Sequence, residues 1–382
     1  MGADKDACAP AWRVEPALAS AGDMAPACKG VAAGRRGRMR MKTQTLRFWA
    51  VPVCLAGAVL LVMGFTASDP GLTWDESYYT AFAGRYGQWV RAAMGMGPGA
   101  GAAFAPHSML YEKPFSKEVL RSYWGLDPVR PGEAALGQKH PPLGKMVSAF
   151  FMAVYGSHGL DYTAARLGSA LLFAGLCLAM YLLVRRLYDA PAAVFSVLAL
   201  AAMPRFVAHM RLATLEPCLA LFSTLTILLF PLACKDRRWV FACAAAFGLA
   251  LLSKINAVLI PFVVAPWGLL FLRRKAVPAL AFMAAAGPLI FVLGWPALWT
   301  DTINGLTLYF RDKFIRAPIP CFYFGHWHKE TFAPWHYALV MPLITTPALV
   351  LAAACAGLAR CRRAWGAEPE TARLDLLMAL AV

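Results

Sequence analysis

Apolar residues fall into several runs of about 17–25 positions, the length that a helix needs to cross the hydrocarbon core of a bilayer. The first run, WAVPVCLAGAVLLVMGFT, covers residues 49–66 and predicts a first span. By the same criterion, further spans are predicted at about 162–184, 190–207, 217–233, 276–296 and 336–358. The last apolar run, LLMALAV, is too short to cross. We therefore expect the C-terminus to be truncated.

The stretch from Trp239 to Leu272 is longer than one crossing requires, and Lys254 interrupts it. A continuous helix of this length would extend for about 51 Å, whereas the hydrocarbon core is about 30 Å thick. We therefore predict two short spans that meet at the sequence LSKIN. This choice also assigns the basic sequence RRK, residues 273–275, to the inner side.

About 95 residues between the first two spans contain no full-length apolar run. Within this predicted first outer loop, about 67–161, residues 142–156 are apolar on one side, short, and carry Lys145. These features favour a helix that lies in the membrane interface. A last outer loop is predicted at about 297–335. The predicted fold class is an all-α, polytopic transmembrane helix bundle with a long first extracytoplasmic loop carrying interfacial helices.

Composition agrees with this class, because 59% of the residues are hydrophobic and only 15% are charged. The net charge of +16 would also suit a nucleic-acid partner, but the basic residues mostly stand in short runs between apolar segments. That placement is the positive-inside pattern of membrane proteins, and it requires no nucleic acid. The inner loops then read RRLYD, KDRR, RRK and RCRR, although the last outer loop also contains four basic residues.

The first 48 residues, rich in Ala and Gly and ending in RRGRMRMK, are expected to be a basic, disordered cytoplasmic tail. Residues 49–382 are predicted to form the transmembrane domain. The ten cysteines include no CxxC pair, and most fall in apolar runs or basic loops, so neither a disulfide framework nor a zinc cluster is indicated.

The predicted topology assigns all the histidines to outer segments or to the outer ends of spans. They are His107, His140, His158, His209, His326, His328 and His336. Random scatter would not often do this, so we expect the chemistry of this protein to be on its outer face.

The sequence TWDESYY begins just after the first span and contains the adjacent acids Asp75 and Glu76. A solvated pair of loop carboxylates is the simplest interpretation. The flanking aromatic residues, however, are typical of the membrane interface. A carboxylate at this depth is well placed to accept a proton from an acceptor hydroxyl.

Two further segments carry candidate cations at the same level. KHPPLGK presents Lys139, His140 and Lys145 around a Pro-Pro turn, which suits either a helix start with snorkelling lysines or a clamp on a lipid phosphate. HMRLATLEP holds Arg211 and Glu216, which could form a structural ion pair or take part in a site. Lys254 is a further cation that could also be snorkelling.

The last outer loop supplies weaker candidates. His326 and His328 have the spacing of a metal pair, but an HxH pattern alone is a weak signal, so a divalent metal is a minor alternative and no cofactor is required. Trp335 and His336 open the eighth span. They could anchor it in the interface or form a platform for substrate.

Taken together, these segments resemble the polyprenyl-phosphate-sugar-dependent glycosyltransferases of the GT-C fold, and most closely the dolichyl-phosphate-mannose protein mannosyltransferases and their bacterial relatives. WDESYY is similar to the Asp-Glu motif of the family's first outer loop, and HPPLGKM is the most specific match. RLATLEP is similar to the family's Arg…Asp motif, with Glu216 as the acid. GLALLSKINAVLIP and APWHYALVMPL resemble later blocks.

The resemblance implies a role for each matching residue. Asp75 is expected to be the catalytic base and Glu76 its catalytic neighbour. Donor phosphate binding is expected from four cationic residues: Lys139, His140, Arg211 and Lys254. Substrate positioning is expected from Glu216, Trp335 and His336.

The expected partners are an undecaprenyl- or dolichyl-phosphate sugar donor, membrane lipids, and an acceptor that is a protein, a lipid or a polysaccharide. The sugar is mannose-like or another hexose or pentose. The expected location is the bacterial inner membrane, with the site facing the periplasm.

A lipid or sugar transporter is the alternative function. Transporters hold ionisable residues near the bilayer midplane, whereas the predicted topology gathers them at one edge. A purely structural scaffold would need no such sets of acids and cations.

Overall fold

The structure, a computed structural model, is almost entirely helical over the residues that it describes: 49–97, 109–124, 140–155, 162–314, 320–329, 332–367 and 369–380. In chain order the helices are α1 (Trp49–Phe65), α2 (Trp74–Ala93), α3 (Lys117–Trp124), α4 (Leu143–Val154), α5 (Tyr162–Leu187), α6 (Ala190–Ala201), α7 (Pro204–Met210), α8 (Glu216–Lys235), α9 (Arg238–Leu251), α10 (Ile260–Phe271), α11 (Val277–Leu293), α12 (Thr302–Phe314), α13 (Tyr337–Thr345), α14 (Ala348–Ala367) and α15 (Pro369–Leu380). Short 3₁₀ segments cover Ile255–Leu259, Arg273–Lys275 and Pro296–Leu298.

Three helical segments of the described chain are long and apolar enough to cross a membrane: α5, α8 and Arg273–Leu293, which includes α11. The number rises to five if each of two bent helix pairs is counted as one span. The predicted spans at 162–184, 217–233 and 276–296 correspond to these three segments. The first predicted span is α1, a shorter apolar helix of 17 residues.

The third and eighth predicted spans are not single helices. The chain bends by 75° between α6 and α7, and by 113° between α13 and α14. In each case a proline follows the break, and the residue before it, Met203 or Thr346, has an extended backbone. Proline disfavours the helical conformation of its predecessor, which explains both interruptions.

The predicted break in the Trp239–Leu272 stretch is present. Helix α9 ends at Leu251, and the backbone of Lys254 is extended before the 3₁₀ turn that leads into α10. The predicted short helix at 142–156 is also present, as α4 with 12 residues. Both features bring polar loop residues to the same end of the molecule.

Close packing between α9 and its neighbours α8 and α11 forms the centre of the bundle. At Gly248 of α9 a β-carbon would lie only 2.7 Å from the Cβ of Ile290 on α11, so the two backbones approach where α9 has no side chain. Small residues at such contacts are characteristic of helix pairs in membranes. A second buried cluster, rich in Tyr and Trp, joins α2 and α3 to the end of α11 and to α12.

The predicted loop at 297–335 contains α12 and a short antiparallel hairpin, β1 (Cys321–Tyr323) and β2 (His326–His328). Its turn residues, Phe324 and Gly325, both have positive φ, 46° and 82°, as a tight two-residue hairpin turn requires.

Candidate active site

The carboxylate of Glu76 is the centre of a buried polar network at the start of α2. Arg166 of α5 binds it with two parallel hydrogen bonds, Nε to Oε1 and Nη2 to Oε2, each 2.7 Å long. The backbone N–H of Ala213, in the loop between α7 and α8, donates to Oε1 at 2.9 Å. The Glu76 side chain is fully buried, so its charge is balanced by protein groups and not by water.

The same arginine also holds the connection between α1 and α2. Its Nη1 donates to the carbonyl oxygens of Ala67 and Pro70, each at 2.9 Å, and Nη2 donates to Gly71 at 3.2 Å. Sequence reasoning missed Arg166, because it lies in the first turns of an apolar span. The signal that was available is that an arginine inside a predicted membrane helix needs a charged partner within the protein.

Asp75 precedes Glu76 on the first turn of α2, and its side chain is exposed. The two adjacent acids therefore have different surroundings: Glu76 is committed to Arg166, whereas Asp75 faces outward from the anchored turn. Asp75 is therefore accessible from outside the protein, whereas Glu76 is not.

Arg211 lies next to this network in the loop that follows α7. Its Nη2 donates to the carbonyl oxygen of Thr66 at 2.7 Å, and it approaches Oδ2 of Asp69 at 3.7 Å. The Nε atom of Arg211 and the hydroxyl of Thr73 are buried and have no hydrogen-bond partner among the described residues. Buried polar atoms without partners mark places where water or a ligand binds.

Glu216 and Lys254 form an ion pair at 2.5 Å, although they are 38 residues apart in the chain. Glu216 is the first residue of α8, where an acid interacts favourably with the helix dipole. Both side chains are partly exposed, at 31% and 25%. Of the two alternatives for Arg211 and Glu216, the structural ion pair is not observed among the described residues, because Glu216 pairs with Lys254 and Arg211 approaches Asp69.

The His-Pro-Pro turn contacts both of these loops. The N–H of Leu143 donates to the carbonyl oxygen of Leu252 at 3.2 Å, next to the Lys254 loop. At Gly144 a β-carbon would lie 3.1 Å from the carbonyl oxygen of Thr214, so the first turn of α4 packs directly on the Arg211–Glu216 loop. His140 is partly buried, with its ring edge-to-face against Tyr79 at 5.9 Å. Lys139 lies outside the described residues.

Lys145 points into the protein. Its side chain is fully buried, its Nζ donates to the carbonyl oxygen of His140 at 2.8 Å, and it lies over the rings of Phe82 and Tyr86. Neither a snorkelling lysine nor a direct phosphate ligand fits this position. Burial, with a smaller contribution from the charge of Lys313, holds the pKa of Lys145 well below its ordinary value.

The candidates in the last loop lie on β2 and just before α13. His336 contacts Trp335 and Tyr323 of the hairpin, with ring centroids 5.6 and 5.5 Å apart, and Trp335 is largely exposed. His326 and His328 are on β2, opposite Tyr323 and Cys321. Within the described part of the chain, no three His, Cys, Asp or Glu residues are close enough to hold a metal ion. The weak metal candidates therefore receive no support.

Four segments that are distant in sequence thus meet at one end of the bundle. They are the start of α2 with Asp75 and Glu76, the His140 turn, the loop from Arg211 to Glu216, and the Lys254 loop. The segments that hold the exposed acid and the predicted donor-binding cations therefore contact one another, and Arg166 holds the first of them through Glu76.

Part of the chain matches a known protein family. Residues 139–299, which include three of the four segments, match the family model described as dolichyl-phosphate-mannose-protein mannosyltransferase. The predicted resemblance to these glycosyltransferases is confirmed. No curated protein sequence matches the chain significantly.

The fold is similar to that of ArnT from Cupriavidus metallidurans. The ArnT structure bound to undecaprenyl phosphate matches with a TM-score of 0.55 and 20% identity, covering 86% of this chain and 53% of ArnT. The apo ArnT structure matches with the same TM-score and identity, covering 88% and 54%. The predicted polytopic helix bundle of GT-C type is therefore confirmed. This chain spans about half the length of the ArnT chains that it matches.

Proposed function

We propose that this protein is an integral-membrane glycosyltransferase that moves a sugar from a polyprenyl-phosphate donor to an acceptor hydroxyl, with inversion. The meeting at one end of the bundle of the segments that hold exposed Asp75, His140, Arg211 and Lys254 carries the proposal. The family match and the bound undecaprenyl phosphate of the similar ArnT structure support the choice of donor.

Asp75 is the base in the proposed reaction. It takes the proton of the acceptor hydroxyl while that oxygen attacks the anomeric carbon of the donor sugar from the face opposite the phosphate. The bond between the anomeric carbon and the phosphate oxygen breaks, and its electron pair leaves with the polyprenyl phosphate. Arg166 acts indirectly, because it fixes Glu76 and thereby the helical turn that carries Asp75.

The cations bind the donor phosphate and stabilise the charge that develops on the leaving oxygen. Arg211 has a buried Nε without a partner among the described residues, which fits a role in binding an anion. Lys254 is oriented by Glu216 and remains partly exposed, so a phosphate can approach it. Glu216 then positions the donor through Lys254.

The reactive phosphate must lie where its lipid tail can remain in the bilayer, so the site belongs at a membrane interface. The short basic loops of the sequence favour the periplasmic side of a bacterial inner membrane. The acceptor is a protein, a lipid or a polysaccharide, and the sugar is a mannose-like hexose or another hexose or pentose.

Sugar transfer from radiolabelled polyprenyl-phosphate donors in membranes tests this function, with Asp75→Asn as the decisive variant. Loss of the general base is expected to lower the transfer rate by about 10²–10⁴-fold, while the protein remains folded because Asp75 is exposed. The matched control is Asp189→Asn, at the other end of α5, where Asn caps a helix as well as Asp does.

Full activity of Asp75→Asn would contradict its role as base. Movement of the donor across the bilayer without transfer of its sugar would instead favour the transporter alternative.

A further inference from the structure

The two prolines of the His-Pro-Pro turn deprive this part of the backbone of hydrogen-bond donors. Pro141 and Pro142 have no N–H, and the next N–H along the chain, that of Leu143, donates to Leu252. The N–H that would close a turn on the carbonyl oxygen of His140 is that of Leu143, and this N–H points to Leu252 instead. Helix α4 also begins without a side-chain cap at Pro142.

Lys145 supplies a donor to that carbonyl from inside the protein. Its Nζ is 2.8 Å from the His140 oxygen, and its side chain is fully buried. The aromatic rings of Tyr86 and Phe82 on α2 face the amine, with centroids at 5.2 and 5.9 Å. Both rings belong to, or pack against, the buried aromatic cluster that joins α2 and α3 to α12.

Burying an amine is costly, so its place in the interior needs a compensating interaction. The carbonyl of His140 and the faces of the two rings provide it. A lysine whose amine pointed to the bilayer surface would avoid this cost entirely. The chain instead uses Lys145 to connect helix α2 with the turn that presents His140.

We propose that Lys145 is a positioning residue for His140: its hydrogen bond to the His140 carbonyl oxygen ties the turn to the rings of α2, and it thereby sets the turn and the His140 ring for the donor phosphate. This inference rests on the proposed function for its last step only. The contact between Lys145 and the His140 turn does not depend on that function.

Donor kinetics of Lys145→Met test the proposal, because methionine keeps the length and apolar stem but has no N–H. The KM for the polyprenyl-phosphate donor is expected to rise about tenfold, the size of one lost hydrogen bond, with kcat changed much less. Lys113→Met, at an exposed lysine, is the matched control and should leave KM unchanged.

A double-mutant cycle with His140→Ala separates positioning from a general structural effect. If Lys145 acts through His140, adding Lys145→Met to His140→Ala raises KM no further. An equal rise in both backgrounds would overturn the proposal.

A second variant, Phe82→Leu, replaces Lys145→Met in this test if Lys145→Met does not fold. It keeps the lysine and removes one of the two rings that face its amine. It should give a smaller rise in KM with the same dependence on His140, and an unchanged KM would count against the proposal.

A measurement without donor keeps this inference distinct from the function itself. In ¹³C-histidine NMR spectra of the protein in micelles, the His140 resonance, assigned by its loss in His140→Gln, is expected to shift in Lys145→Met and not in Lys113→Met. An unmoved resonance would overturn the positioning role. If wild-type protein transfers no sugar from any polyprenyl-phosphate donor, the proposed function fails, while this spectrum still decides the role of Lys145.

Discussion

The adjacent acids Asp75 and Glu76 have the same chemistry but different surroundings, because only Glu76 is paired with Arg166. Both oxygens of Glu76 accept hydrogen bonds, and Arg166 uses its Nε, Nη1 and Nη2 atoms as donors. A buried pair of this kind contributes little net stability compared with apolar residues, but breaking it leaves an uncompensated charge. The network therefore specifies the arrangement of the loops more than it strengthens the fold.

Replacing Arg166 with methionine should consequently be severe. The variant leaves the Glu76 carboxylate buried and without its partner, which costs about 3–5 kcal/mol of unfolding free energy. Thermal unfolding in detergent micelles measures the effect, and Arg238→Met is the control because Arg238 is 85% exposed. The control is expected to change stability by at most about 1 kcal/mol. Equal effects of the two substitutions would show that the network is not needed.

The buried amine of Lys145 makes a pH-dependent contribution to stability. Its pKa is lower in the folded chain than the ordinary value of 10.5, so the folded chain binds fewer protons than the unfolded chain between those two pKa values. Stability should therefore fall as pH drops below 10.5 and level off once pH is below the folded-state pKa. Thermal unfolding at a series of pH values should show a flatter profile for Lys145→Met than for wild type. A Lys145→Met profile as steep as wild type would contradict this assignment.

At the level of helices, the loops of the candidate site lie where the predicted spans are interrupted. After α6 the backbone of Met203 is extended, and Pro204 then begins α7, whose C-terminal cap is Arg211. The break at Lys254 likewise converts one long apolar stretch into two short helices with a polar loop between them. These interruptions bring cations to the end of the bundle without placing them along a lipid-facing helix.

The contact of α9 with α11 should not tolerate a side chain at position 248. Gly248→Val would place its β-carbon 2.7 Å from the Ile290 Cβ, and the two helices would have to separate. The expected loss of stability is about 1–3 kcal/mol beyond that of Gly57→Val, where no atom lies within 4 Å of the new β-carbon. Thermal unfolding of both variants in micelles provides the comparison, and a Gly248→Val variant no less stable than Gly57→Val would contradict this packing.

At the scale of the molecule, α5 separates the candidate site from a basic end. Its 26 residues extend over about 39 Å, enough to cross a bilayer, with Arg166 near its start and Arg185 and Arg186 in its last turn. The positive-inside pattern then predicts that the Arg185–Arg186 end faces the cytoplasm and the Asp75 end faces outward.

Cysteine labelling tests that orientation. In a chain whose native cysteines are replaced, Asp69→Cys should react with an impermeant maleimide on intact spheroplasts, whereas Asp189→Cys should react only after the membrane is permeabilised. Both aspartates are exposed, so a difference in labelling reports the side of the membrane. The reverse pattern would invert the topology and remove the argument for a periplasmic site.

The sequence by itself determined the helical class, the apolar spans, the break at Lys254, the short helix at 142–156 and the family resemblance. These features are local, because run length, a charged interruption or a motif is visible within about 20 residues. The prolines at 204 and 347 were also local signals of a helix break, but the hydrophobicity of the runs alone predicted continuous spans there.

Only the tertiary structure decided which charged residues are partners of one another and which remain exposed. Arg166 meets Glu76 across 90 residues, and Lys254 meets Glu216 across 38. Lys145 turns inward although the sequence alone suggested an outward lysine. Such pairings depend on how the helices pack and on where water is excluded. The order of charges along the sequence contains no information on either. For that reason the motifs identified Asp75 and Glu76 as a pair, while burial separated the exposed acid proposed as the base from the acid that holds it in position.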